Sequence, residues 1–130
     1  MQNKDKVAYW VDLANYDIDT AHALLEKRRY LYVGFMCHQV IEKMLKAFYV
    51  TNKYETPPYT HNLRQLANKT GLYTKMTDSQ KDILDVLMPL NIEARYPTYK
   101  EELLKTLHYK RSEHIINQTQ RLKSWIEQQL

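Results

Sequence analysis

Apolar positions recur with helical spacing along most of the chain. Val7, Val11, Ala14, Ile18, Ala21 and Leu25 fall on one stripe, flanked by Trp10 and Leu24, while Asp12, Asn15 and Asp19 lie off it. That spacing predicts a first helix over residues 7–27, and the cations of "EKRRY" suit the carbonyl end of its dipole. A second helix is predicted over 31–52. There Met36, Ala47, Val40, Val33, Met44, Cys37, Phe48, Ile41 and Leu45 cover about half the circumference. The other half is one continuous face carrying His38, Tyr49, Glu42, Phe35, Lys46, Gln39 and Lys43.

That face has two readings. Glu42 and Lys46 stand at i, i+4, and spacing alone favours a solvated surface with one ion pair. Against this, Gln39, Lys43 and Lys46 project from one side and offer several donors to an anionic ligand, with Phe35 as a stacking ring.

Beyond residue 52, "NKYETPPYT" breaks the chain, because two adjacent prolines cannot continue a helix. Thr60 is the expected cap of a third helix, "HNLRQLANKTG", which stops at Gly71. "TDSQ" at 77–80 has the form of a capping box opening a fourth helix, with Ile83, Leu84, Leu87 and Met88 facing inward. Pro89 is expected to kink it and Pro97 to end it. Thr98 and Glu101 offer a second capping box for a short helical turn. A last helix over 108–129 turns Ile115, Ile116, Thr119, Leu122, Trp125 and Ile126 inward. With no repeat and no strand pattern, the expectation is all-α. It is a single domain over 1–130, an antiparallel up-and-down bundle of four long helices plus a short fifth helix.

Composition narrows the function. Two glycines in 130 residues leave no room for a phosphate loop or a G-x-G-x-x-G turn, and no G-x-S-x-G elbow occurs. The five histidines include no H-E-x-x-H, and the single cysteine, Cys37, rules out an internal disulfide. No metal or cofactor site is expected. A net charge of +4 permits an anionic partner without demanding one. "MQNKDKVAYW" lacks the apolar stretch of a secretory signal, and no apolar run approaches the ~20 residues that span a bilayer. The expected setting is cytoplasmic, away from membranes.

Candidate chemistry lies in three places besides the second helix. Arg95 and Tyr96 in "EARYPTY" set a planar cation beside a ring just before a proline, an arrangement suited to phosphate or carboxylate. The same Arg could instead close a helix end. His61, at the first turn of the third helix, is a candidate base or anion donor, beside the commoner roles of capping and packing. Eleven tyrosines, several interleaved with cations as in "KRRYLY" and "RYPTYK", suit either RNA stacking or a protein interface, and the interface is preferred.

"DIDTAHALLEKRRYLYVGFMCHQVIEKMLKAFYV", "THNLRQL" and "NIEARYP", taken together and in this order, resemble the HEPN family of small helical bundles. The family pattern falls on Asp17, then on Gln39, Glu42, Lys43, Lys46 and Ala47, then on Thr60, His61 and Leu63, and then on Arg95, Tyr96 and Pro97. The resemblance spans about residues 8–126. It implies a bundle that is commonly a homodimer, from prokaryotic genes often paired with a minimal nucleotidyltransferase, sometimes as toxin and antitoxin. Some members bind a nucleotide or substrate for that transferase, and others are metal-independent ribonucleases. The ribonuclease branches carry an Arg followed, after four to six residues, by a His. Here "YPTYKEE" follows Arg95, and no histidine falls in that window.

The expectation is therefore a module with no catalytic residues that binds a nucleotide or other phosphate ligand, in partnership with a nucleotidyltransferase. Its ligand residues would be Gln39, Glu42, Lys43, Lys46, His61, Arg95 and Tyr96. A ribonuclease using His61 as a displaced base is the first alternative, with RNA as its substrate, and a purely structural dimer is the second.

Overall fold

A computed structural model describes residues 2–92 and 97–130, and among them there are helices and no strand. Six α-helices follow in order: α1 Asn3–Glu26, α2 Tyr30–Lys53, α3 Leu63–Thr70, α4 Asp78–Leu87, α5 Pro97–Leu104 and α6 Tyr109–Gln129. Single 3-10 turns lie at Tyr73–Lys75 and Met88–Leu90. Three helices are long, at 24, 24 and 21 residues, and three are short, at 8, 10 and 8. The expected count of four long helices and one short one differs at Pro89. The chain does not kink there and continue. It leaves the α-helix after Leu87 and tightens into the 3-10 turn, where the proline's missing N–H costs little.

Most starts and stops follow local chemistry. Thr77 and Gln80 form the expected reciprocal box at the head of α4, with Gln80 N–H donating to Thr77 Oγ1 at 3.1 Å. Gly71 closes α3 in the left-handed region at φ 82°. The cap of α3 is Asn62 rather than Thr60: its side chain accepts from Gln65 N–H at 2.9 Å. Thr60 braces the cap from outside, accepting from Asn62 N–H and donating to the Gln65 side chain at 2.9 Å. Thr98 likewise is not a cap. The fifth helix begins one residue earlier, at Pro97, whose fixed φ suits a first helical position. His108 caps α6 through its ring Nδ1, which accepts from Arg111 N–H at 3.3 Å.

The central element is α2. It packs most extensively on α1 and also against α6 and α3, so no residue between positions 33 and 50 is fully exposed. Val33, Cys37, Val40, Ile41, Met44 and Leu45 are wholly buried and meet Ala14, Ala21, Leu66, Leu84, Ile116 and Ile126 in one core. At Gly34 an added Cβ would lie 3.0 Å from Leu90 Cδ1, so glycine allows the Met88–Leu90 turn to lie close against α2. No helix among the described residues is long and apolar enough to cross a membrane.

Candidate functional site

The polar face of α2 is not solvated. His38, Glu42 and Lys46 follow at i, i+4 and i+8 on one stripe, and all three are buried. What covers them comes from outside the helix. After Lys53 the chain turns at Tyr54 in the left-handed conformation, φ 56°, and residues 54–62 run back beside α2. The side chain of His61, near the end of this stretch, then closes on Glu42.

Glu42 is the hub. Its Oε1 accepts from His61 Nδ1 at 2.8 Å and its Oε2 accepts from Lys46 Nζ at 3.1 Å. Burying a carboxylate with no partner would cost several kcal/mol; here one cation and one ring N–H take both oxygens. His38 Nε2 lies 3.0 Å from the backbone oxygen of His61. A carbonyl only accepts, so this nitrogen carries the proton. His38 Nδ1 faces Glu42 Oε1 at 3.9 Å, beyond hydrogen-bond reach. His61 is thus held at both its backbone and its ring, and Tyr59 sets a ring edge-on to it at 6.0 Å. On the far side, Lys46 Nζ stands 5.6 Å from the Trp10 ring centroid, within cation–π range.

A second pair lies round the helix, where Lys43 donates to Asp17 Oδ2 of α1. Each lysine of the face therefore has its own carboxylate, so the face is close to charge-neutral. The group turned outward is the imidazole of His61, whose side chain is 49% exposed. With Nδ1 committed to Glu42, Nε2 is the ring atom left for a ligand. Protonated, it donates to an anion; neutral, it accepts a proton.

Of the residues named from the sequence, Glu42, Lys46 and His61 come together directly. Lys43 turns instead to Asp17, and Gln39, one helical turn before it, is half-buried. Arg95 and Tyr96 lie outside the described residues. Two members of the cluster were not on that list. His38 was legible as the i−4 neighbour of Glu42, but its role in holding the His61 carbonyl has no local signal. Trp10 lies far from Lys46 in sequence, and its place beside the apolar stripe of α1 marks only a packing residue. Among the described residues, no group of three or more His, Cys, Asp or Glu is placed to hold a metal ion.

Comparison with known proteins adds two findings. The family model described as HEPN domain matches residues 7–129. Among solved structures, the chain is similar to the crystal structure of TT1696 from Thermus thermophilus. The TM-score is 0.81 at 17% sequence identity, covering 96% of this chain and 98% of that one. At that identity the likeness speaks for the fold alone. No curated protein matches.

Proposed function

The chain belongs to the HEPN domain family, and on that premise we propose that it is a non-catalytic binding module for a nucleotide or other phosphate-bearing ligand. The observation that carries the reading is the His61–Glu42 contact. A half-exposed imidazole fixed from behind by a buried carboxylate is a pre-oriented donor, and such fixing lowers the cost of binding. In this reading His61, Arg95 and Tyr96 touch the ligand. Glu42, Lys46 and Lys43 hold the wall that presents it, and Gln39 lies beside them. The family resemblance further supports a homodimer working with a minimal nucleotidyltransferase, as one half of a toxin–antitoxin type pair.

Titration calorimetry with ATP and other nucleotides tests it, on wild type beside His61→Ala and Arg95→Ala. Loss of one charge-assisted hydrogen bond weakens binding roughly ten-fold or more. Equal affinity in wild type and both variants would remove the site.

The same contact gives the ribonuclease reading its specific support, since an imidazole oriented by a carboxylate is also what a general base needs. RNA incubated with the protein in chelator separates the two. Cleavage that vanishes in His61→Ala and in Arg95→Ala would make His61 a base, whereas cleavage equal in the variants would mark a contaminant.

A further inference from the structure

Beside Trp10 lies a cleft of about 270 Å³ that the site above does not use. Tyr9, Trp10, Val50 and Pro57 line it, together with Lys6, Glu55 and Thr56. Tyr9 and Trp10 meet edge-to-face with centroids 5.7 Å apart, which gives the cleft two aromatic surfaces at a steep angle. Its third wall is the start of the 54–62 stretch, the same stretch whose far end sets His61 on Glu42. Lys46, 5.6 Å from the Trp10 ring, stands between the two sites.

Three features define what fits. The volume lies just below the range of about 300–1,000 Å³ usual for small-molecule sites, so the occupant is one ring with a short arm. The lining is mainly apolar and aromatic, so the ring is aromatic or at least flat. The lining also carries one cation and one anion that form no ion pair with each other. Lys6 makes no ion pair or side-chain hydrogen bond among the described residues, and Glu55 receives only a long contact, 3.5 Å, from Tyr49 Oη. Both side chains are exposed and available. A lone cation would suit a carboxylate or a phosphate, but Glu55 beside it repels a polyphosphate. A cation and an anion together match a ligand with both charges.

We propose that this cleft binds a small aromatic zwitterion, a free aromatic amino acid, with its ring against Tyr9 and Trp10, its carboxylate toward Lys6 and its ammonium toward Glu55. The site adjoins the His61 site, sharing Trp10 and the 54–62 stretch with it, and does not depend on the nucleotide reading.

Trp10 reports on it directly. In a nitrogen–proton correlation spectrum, the two tryptophans give two indole N–H signals, with Trp125 as an internal reference on α6. L-Phenylalanine is expected to shift the Trp10 signal and leave Trp125 in place. Phenethylamine and 3-phenylpropionate, each lacking one charge, are expected to bind more weakly. Lys6→Ala should weaken phenylalanine and phenylpropionate roughly two- to five-fold and spare phenethylamine, the size one exposed ion pair supplies. Glu55→Gln should do the reverse. Tyr9 is 54% exposed, so Tyr9→Ala keeps the fold and should weaken all three roughly two- to ten-fold. Equal binding of N-acetyl-phenylalaninamide, which keeps the ring without either charge, would overturn the proposal in favour of an aromatic anchor from a partner protein. A motionless Trp10 signal at the solubility limit of phenylalanine, or displacement of phenylalanine by ATP, would also overturn it. His61→Ala should leave phenylalanine binding unchanged, which separates failure here from failure of the phosphate site.

Discussion

Glu42 concentrates the residue-scale physics. Its carboxylate is 5% exposed and is shared by an ammonium and an imidazole. Glu42→Ala strands Lys46, whose side chain is 10% exposed, with no counter-charge. The expected loss is about 3 kcal/mol in urea unfolding, in line with breaking one half of a buried pair. The double variant Glu42→Leu with Lys46→Met should recover most of it, because an apolar pair of similar volume carries no desolvation cost. A double variant as unstable as the single would show that the carboxylate's hold on His61, not the ion pair, sets the stability. Arg64 and Asp85 form the opposite case. Both are about half exposed, so Arg64→Ala should change stability by less than about 1 kcal/mol.

Cys37 adds a pH effect. Burial pushes its thiol up from the usual 9.0 to about 12. The folded chain thus keeps this proton at a pH where the unfolded chain has lost it. The stability tied to it is whole below pH 9.0 and is lost as pH rises toward about 12. The urea midpoint of wild type should therefore fall more steeply across that window than that of Cys37→Ala. Parallel slopes would place Cys37 in a more polar setting than the core. An aromatic disulfide reagent should find no reactive thiol in the native protein and one after unfolding.

At the scale of elements, the local rules divide cleanly. The capping box at Thr77 and Gln80 and the glycine stop at Gly71 involve only near neighbours, and both were legible from spacing. Thr77→Ala should cost about 1 kcal/mol, and Gly71→Ala about the same, since an L-residue at φ 82° is strained although open space surrounds it. Thermal melts check both. The expected caps at Thr60 and Thr98 illustrate the limit. Each threonine stands near a helix start, yet Asn62 and Pro97 lie closer to the point where the backbone turns helical. Pattern reading places such boundaries only to within a few residues.

At the scale of the whole molecule, α2 is surrounded on its apolar half by α1, α3 and α6 and on its polar half by α1 and the 54–62 stretch. Large exposed rings lie on α1 and on the 54–62 stretch itself. Tyr16 is 73% exposed on α1, and Tyr54 and Tyr59 are more exposed still. If the proposed homodimer forms, light scattering after gel filtration should give twice the 15.7 kDa chain mass. A single-chain mass at high concentration would leave the ligand site to be completed within one chain.

The sequence by itself determined the helical class, the extents of α2 and α6 to within a residue, the apolar stripe that α1, α2 and α6 each turn toward the core, and the family, whereas α1 begins at Asn3, about one turn before the expected start. These depend on interactions within about one helical turn and on the period of 3.6 residues, and both are written along the chain. Only the tertiary structure decided what becomes of the polar half of α2. Lys43 could face water or Asp17, 26 positions earlier; Glu42 could pair only with Lys46 or also hold His61, 19 positions later. Spacing cannot rank those outcomes, because the choice depends on which segment returns to cover the helix and on the cost of leaving a charge there unpaired. The fold brings Asp17 and His61 to that face, and four polar groups that looked like a solvated surface, His38, Glu42, Lys43 and Lys46, become partnered groups of the interior with one imidazole at the edge.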